Sequence, residues 1–277
     1  MAKSIMIQGT ASNVGKTILT TALCRIFMQD GYRTAPFKSQ NMTSNAAVLK
    51  TGEELAVSQV LQAKAAGIEP DITMNPVLLK PSPENRGTQL ILNGKLHDTV
   101  NAHNFGEIKQ SIVPEIKKAF DTLSNRYEII VIEGAGSPVE LNLNKDDIVN
   151  MGIAKLTNAP VLLVADIDKG GVFASLFGTI ALMTEEERAH VKATIVNRFK
   201  GDVSLFKDGT AILEEITGVP VAGIVPYFSI SLPEEDSPGG VVYSPDDNLD
   251  SQFDLIAGHV RESLDMDLIY RILETGM

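Results

Sequence analysis

Apolar positions along this chain fall into two alternating textures. Short runs of aliphatic and β-branched residues, "SIMIQ", "YRTAPFK", "YEIIVIEG", "APVLLVADID", "VKATIVN" and "VPVAGIVPY", read as strands. Several are apolar almost throughout, which suits parallel strands covered on both faces. Between the first two, Ile18, Leu19, Ala22, Leu23, Ile26 and Phe27 recur at helical spacing, and Gly31 supplies a stop. This alternation predicts a doubly wound α/β fold with a mainly parallel sheet. From Ser229 to Gln252 the texture changes to Pro, Gly, Ser and acids, the composition of a linker or exposed loop. Phe253, Ile256, Val260, Leu264, Leu268 and Ile272 then form one apolar stripe and predict a closing helix. The expected organisation is a main domain over 1–228, a linker over 229–252 and a helix over 253–277.

Composition narrows the function classes. A chain of 277 residues with 44% hydrophobic content can bury a large core. No run approaches the roughly 18 apolar residues of a membrane span, and "MAKSIMIQGT" enters a strand without a signal-peptide pattern, so a cytoplasmic location is expected. Against 35 acidic residues stand 24 lysines and arginines, and the net charge of -11 opposes non-specific attraction to nucleic acid or anionic membrane. The closing helix carries Asp254, Glu262, Asp265 and Asp267 where a membrane-surface helix would carry cations. The single cysteine, Cys24, excludes an internal disulfide and lies on an apolar helix face, as a core residue does.

Lysines beside glycine-rich turns stand out in such an acidic chain. "GTASNVGKT", Gly9 to Thr17, falls between a predicted strand and a predicted helix, the context of a phosphate-binding loop. Its spacing is irregular: five residues rather than four separate Gly9 from Gly15. Backbone amides from Ser12 through Asn13, Val14 and Gly15 to Thr17 can surround phosphate oxygens at the positive end of the helix. Lys16 can bridge the β- and γ-phosphates, and the Thr17 hydroxyl can bind Mg²⁺. Glu133 ends a buried strand, where a metal-binding carboxylate belongs in such a fold. Glu54 is a further candidate ligand, although an acid at a helix start is also favoured by the helix dipole. Lys38, in "APFKSQNM", can stabilise charge on a transferring phosphoryl group or hold a substrate carboxylate, and Gln40 and Asn41 beside it are substrate candidates. So are Asp166, Asp168, Lys169, Gly170 and Gly171 of "VADIDKGGVFAS", whose glycine pair reads either as a loop admitting a large ligand or as a tight turn.

"GTASNVGKT", "PFKSQNM", "QAKAAGIEPDITMNPVLLKP", "VIEGAGSP", "VLLVADIDKGGVFASLFGT", "VNRFKGD", "TGVPVAGIVPY" and "LPEEDS" closely resemble, in order, the synthetase domain of cobyric acid synthases, over about residues 1–237. The resemblance implies ATP-dependent amidation of the b, d, e and g carboxylates of adenosylcobyrinic acid a,c-diamide, through acyl phosphates, in cobalamin biosynthesis. It implies ATP and Mg²⁺ as cofactors and a corrinoid as substrate. The fold is also similar to that of dethiobiotin synthetase, whose P-loop likewise opens with Gly-Thr. That similarity implies that Thr10 belongs to the nucleotide loop, that Thr17, Glu54 and Glu133 bind the metal with Gln59 completing an acid-x-x-x-x-Gln pattern, and that Asn197 and Pro226 lie beside adenine. Relatives imply a homodimer. Ala11 stands where partition-type switch ATPases carry a second lysine, which argues against a switch. Cobyric acid synthases normally continue into a glutaminase domain, for which this chain has no room, so ammonia or a separate glutaminase is expected to supply nitrogen. Two other readings stay open: an ATP-dependent amide-forming or carboxylate-phosphorylating enzyme acting on another acid, and a nucleotide-dependent switch or scaffold.

Overall fold

The computed structural model describes residues 2–44, 46–82, 87–101, 105–142, 147–229, 232 and 249–276. In chain order the strands are β1 (Lys3–Gly9), β2 (Thr34–Phe37), β3 (Gln40–Met42), β4 (Ala46–Val48), β5 (Glu54–Ala56), β6 (Val77–Pro81), β7 (Thr88–Leu92), β8 (Lys95–Val100), β9 (Ile129–Glu133), β10 (Val161–Asp166), β11 (Val191–Phe199) and β12 (Val221–Pro226). The helices are α1 (Lys16–Gln29), α2 (Val57–Ala65), α3 (Phe105–Arg126), α4 (Met151–Thr157), α5 (Val172–Leu182), α6 (Glu185–His190), α7 (Lys207–Thr217), α8 (Asp250–Ser263) and α9 (Met266–Thr275).

The main sheet has the order β12-β11-β10-β1-β9-β2, with every pairing parallel. All six runs read as strands contribute to it. Their side chains alternate between two apolar layers, which is why the runs lack a polar face. Ile130 and Ile132 of β9 meet one layer with α3, α4 and α5, whereas Ile129 and Val131 meet the other with α1, α8 and α9. Leu19, Ala22, Leu23, Cys24, Ile26 and Phe27 of α1 are fully buried against that second layer, and the chain leaves the helix through Gly31 at φ +91.

Neither sheet neighbour of β1 is the next strand in sequence: β2 lies beyond β9 on one side, and β10 lies on the other. Connections therefore diverge at β1, and the crevice at the carboxyl ends of β1 and β9 is the topological switch point where such sheets bind ligands. A second sheet, β3-β6-β7-β8, and a ribbon, β4-β5, occupy the chain between β2 and α3. Neither was evident in the hydrophobic pattern. Their strands are short or exposed, as in β8, where only Val100 is buried.

The closing segment departs from expectation in two ways. It forms two helices rather than one, and the first begins at Asp250, inside the stretch read as linker. The break lies at Leu264, whose extended backbone bridges Gly223 of β12, while the Asp265 amide donates to the Ala222 carbonyl at 2.7 Å. Asp265 then caps α9 by accepting from the Leu268 amide. The apolar stripe hid the break because Val260, Leu264 and Leu268 keep a four-residue spacing across it. Most of the remaining linker, and most of "LPEEDS", lie outside the described residues. Among the described residues no helix is long and apolar enough to cross a membrane.

Candidate active site

The turn after β1 folds back over the end of its own strand. A Cβ at Gly9 would lie 2.5 Å from Val14 Cγ2 and 3.0 Å from both the Ala11 carbonyl oxygen and Lys16 Nζ. The early glycine is therefore required by the return path of this longer loop. Gly15 sits at φ +99, and a Cβ there would collide with Asn197 Nδ2. That amide donates to the Val14 carbonyl at 2.7 Å, joining the loop to β11. The Thr10 amide donates to the Val164 carbonyl at 2.9 Å. It extends the β1–β10 ladder, so the Thr10 backbone N–H is engaged by the sheet and does not face a phosphate. Ser12, Asn13 and Val14 form the turn itself, with Asn13 at φ +60.

Glu133 collects side chains from separate stretches of the chain. Its Oε1 accepts from Thr17 Oγ1 at 2.9 Å and from Lys38 Nζ at 3.0 Å, and its Oε2 accepts from Gln62 Nε2 at 2.6 Å. Burial would push this carboxyl up, but the Lys38 ammonium and the three hydrogen bonds outweigh it and hold the group below the ordinary glutamate value, so it is ionised. Parallel register makes this convergence local: β9 ends between β1, which leads into the loop, and β2, which leads into Lys38. Lys16, buried at the start of α1, donates to the carbonyls of Ala11 and Gly136 at 3.0 Å each. Burial is the main cause that lowers its pKa from 10.5 to about 8; Glu133 opposes the shift and Lys38 adds to it. The Gly134–Ser137 turn carrying that second carbonyl is clamped by Asn150, which accepts from the Ala135 amide and donates to the carbonyls of Ala135 and Ser137.

The other expected residues distribute along the same edge. Glu54 is engaged by Lys80, with its Oε2 accepting at 2.5 Å, and is not among the three partners of Glu133. Gln59 does not reach Glu133 either: its Oε1 accepts from Asn41 and Ser58, and its Nε2 faces Gln62 Oε1 at 3.5 Å. Gln40 and Asn41 lie on β3, Asn41 buried and Gln40 with its Oε1 buried and without a partner among the described residues. Asp166 ends β10 and pairs with Arg198 at 3.0 Å, and Asp168 pairs with Lys200 at 2.7 Å. Lys169 is exposed; Gly170 and Gly171 take φ +76 and +72 with open space where a Cβ would go. Their glycine character follows from the turn into α5, as a tight turn requires, rather than from crowding. Pro226 ends β12, next to Tyr227, whose ring lies 5.0 Å from Lys200 Nζ. Sequence reading missed Gln62, Asn150, Arg198 and Lys200. Gln62 carried the one usable signal, a second buried-side glutamine one helical turn after Gln59.

Thr17 and Glu133 present hydroxyl and carboxylate oxygens side by side, the hard donors that Mg²⁺ takes, and the Lys38 ammonium on the same carboxylate oxygen shows that the position accommodates positive charge. The donor set fits the metal.

Residues 5–238 match the CobQ/CobB/MinD/ParA nucleotide binding domain family. The chain is 53% identical over 250 residues to the cobyric acid synthase of Listeria monocytogenes, covering 90% of this chain and 49% of that protein. It is 54% identical over 241 residues to the cobyric acid synthase of Lachnoclostridium phytofermentans, covering 86% and 47%. To that of Ruminiclostridium cellulolyticum it is 55% identical over 237 residues, covering 86% and 46%. The chain thus spans about half the length of the curated relatives it matches.

Proposed function

The chain belongs to the CobQ/CobB/MinD/ParA nucleotide-binding family and is of the cobyric acid synthase type over the residues it shares with those enzymes; from that premise we propose that it is an ATP-dependent amide ligase acting on peripheral carboxylates of adenosylcobyrinic acid a,c-diamide. The observation that carries this reading is the convergence of Lys16, Thr17, Lys38 and Glu133 at the switch point, with Lys38 and Thr17 on one oxygen of Glu133. Two buried ammonium groups beside a phosphate loop suit a reaction in which negative charge develops on a transferring phosphoryl group.

In the proposed reaction a substrate carboxylate oxygen attacks the γ-phosphorus, the bond to the bridging oxygen breaks, and ADP leaves with that electron pair. Ammonia then attacks the carbonyl carbon of the acyl phosphate. The carbon–oxygen bond breaks, phosphate leaves, and nitrogen loses a proton to give the amide. Lys16 exchanges the carbonyls of Ala11 and Gly136 for phosphate oxygens, whose charge restores its full ammonium character. Lys38 stands at the end of β2 to meet the attacking carboxylate or the transferring oxygens. Thr17 and Glu133 would hold Mg²⁺, which would supply charge neutralisation at the phosphates. Glu54 joins them as a ligand only by releasing Lys80. Asn197, Pro226 and Tyr227 line the place of the base, and Gln40, Asn41 and the 166–171 turn line the corrinoid side. Nitrogen reaches the site as ammonia from outside these residues, either free or released by a glutaminase domain or subunit.

The test is ADP release by the purified chain with ATP, Mg²⁺ and adenosylcobyrinic acid a,c-diamide, comparing ammonium chloride with glutamine. Corrinoid-dependent turnover with ammonium and none with glutamine is expected. A protein that binds ATP but shows no corrinoid-dependent turnover with either source would overturn the assigned substrate.

A further inference from the structure

Gln62 is fully buried in the middle of α2, an expensive place for a carboxamide unless its hydrogen bonds are directed. Its Nε2 donates to Glu133 Oε2 at 2.6 Å, on the oxygen opposite the one that receives Thr17 and Lys38. An ionised carboxylate only accepts, so the amide must turn its NH₂ towards Glu133. Its carbonyl oxygen is then left facing Gln59 Nε2 at 3.5 Å, and Gln59 is itself oriented by Asn41 and Ser58 donating to its Oε1 at 3.1 Å each. These contacts point each carboxamide one way along a line from β3 to Glu133.

Resting on the metal site proposed above, we propose that Gln62 is a positioning residue that fixes the plane of the Glu133 carboxylate, so that Oε1 is presented to Thr17 and to Mg²⁺. Without it, Glu133 keeps its charge and its Oε1 contacts to Thr17 and Lys38, but Oε2 loses its tether, the carboxylate is free to turn about its last torsion, and Oε1 is no longer held in one orientation for the metal. Outer partners that orient metal-binding carboxylates typically govern affinity by about 10- to 100-fold. Gln59 fixes which face of Gln62 points inward but touches no charged group, so its removal affects stability more than metal affinity.

The test is a Mg²⁺ titration of ATP binding, followed by calorimetry, on wild type, Gln62→Met and Gln59→Met, with melting temperatures for each. Gln62→Met keeps an unbranched, flexible side chain and deletes the donor. The expected result is a rise of about tenfold in the Mg²⁺ concentration for half-saturation in Gln62→Met, with less than about a threefold rise in Gln59→Met. If Gln62→Met fails to fold, Gln62→Asn, which withdraws the donor by one methylene, is expected to show the same rise. Lowered melting temperatures with wild-type Mg²⁺ dependence would overturn the proposal, and so would equal rises in the Gln62 and Gln59 variants, which would place the effect in the packing of α2. Wild type that binds ATP without any Mg²⁺ dependence would overturn the metal site itself and, with it, the role of Gln62.

Discussion

Lys16 is the residue at which the site's two requirements conflict. A buried ammonium is costly, and carbonyl dipoles from Ala11 and Gly136 compensate it only in part, as its pKa of about 8 indicates. Lys16→Met is therefore expected to leave the fold intact at pH 7 while weakening ATP binding by ten- to a hundredfold, the loss of about 1.5–3 kcal/mol that accompanies a hydrogen bond to a charged group. Between pH 8 and 10.5 the unfolded wild type binds a proton that the folded form has released, so wild-type stability gains with rising pH there, and the variant lacks that gain. Calorimetric titration and denaturant curves at pH 7 and 9.5 check both statements. The sequence made Lys16, Thr17, Lys38 and Glu133 legible because each ends or begins an element beside a glycine or polar cluster. Gln62 went unread: its spacing from Gln59 places both on one side of a helix, but that this side is buried, and against a carboxylate, follows only once β9 is placed.

At the scale of elements, strands were legible where they lie between two helical layers and obscure where they do not. β1, β2, β9, β10, β11 and β12 announce themselves by unbroken apolar runs, whereas β3, β4 and β5 are three residues each, too short for an alternation to register. The split between α8 and α9 depends on a tertiary bridge to Gly223 that no local pattern encodes. These two helices are held to α1 by polar ties at its exposed end: Arg25 with Asp250 and Asp254, and Asp30 with Arg261 and the Tyr270 hydroxyl. Burial would raise the pKa of Asp30, but Arg261 and Tyr270 hold it below the ordinary aspartate value. A carboxyl with a depressed folded pKa adds stability that is fully present above its unfolded value, about 3.9, and is lost as pH falls through the folded one. Asp30→Asn is expected to lower unfolding free energy by roughly 1 kcal/mol at pH 7, with the gap to wild type closing below about pH 4. Urea unfolding at the two pH values measures it; a gap that persists in acid would mean that Asp30 acts through its shape alone.

For the molecule as a whole, the loop is the crossing point of otherwise separate layers. It continues β1, starts α1, is tied to β11 through Asn197 and to the turn after β9 through Lys16. A ligand seated there restrains both faces of the sheet. ATP with Mg²⁺ at about a hundred times its dissociation constant should stabilise the fold by about 2.7 kcal/mol and raise the melting temperature by on the order of 5–10 °C for a chain of this size. The stabilisation should grow with the logarithm of ATP concentration and, at the same ATP concentration, fall to about 0.4–1.4 kcal/mol in Lys16→Met. A melting temperature indifferent to ATP would show that the loop does not bind it.

The gathering of donors from α1, the residue after β2, and α2 on one carboxylate has a bearing on how such a site can change over generations. Replacing Glu133 alone strands the Lys38 ammonium in the interior, and replacing Lys38 alone leaves a buried anion short of its counter-charge. Each single step descends before any double step can recover. Positions 38 and 133, ninety-five residues apart in the chain, are thus coupled as one heritable unit, which physical cost favours exchanging together rather than one at a time.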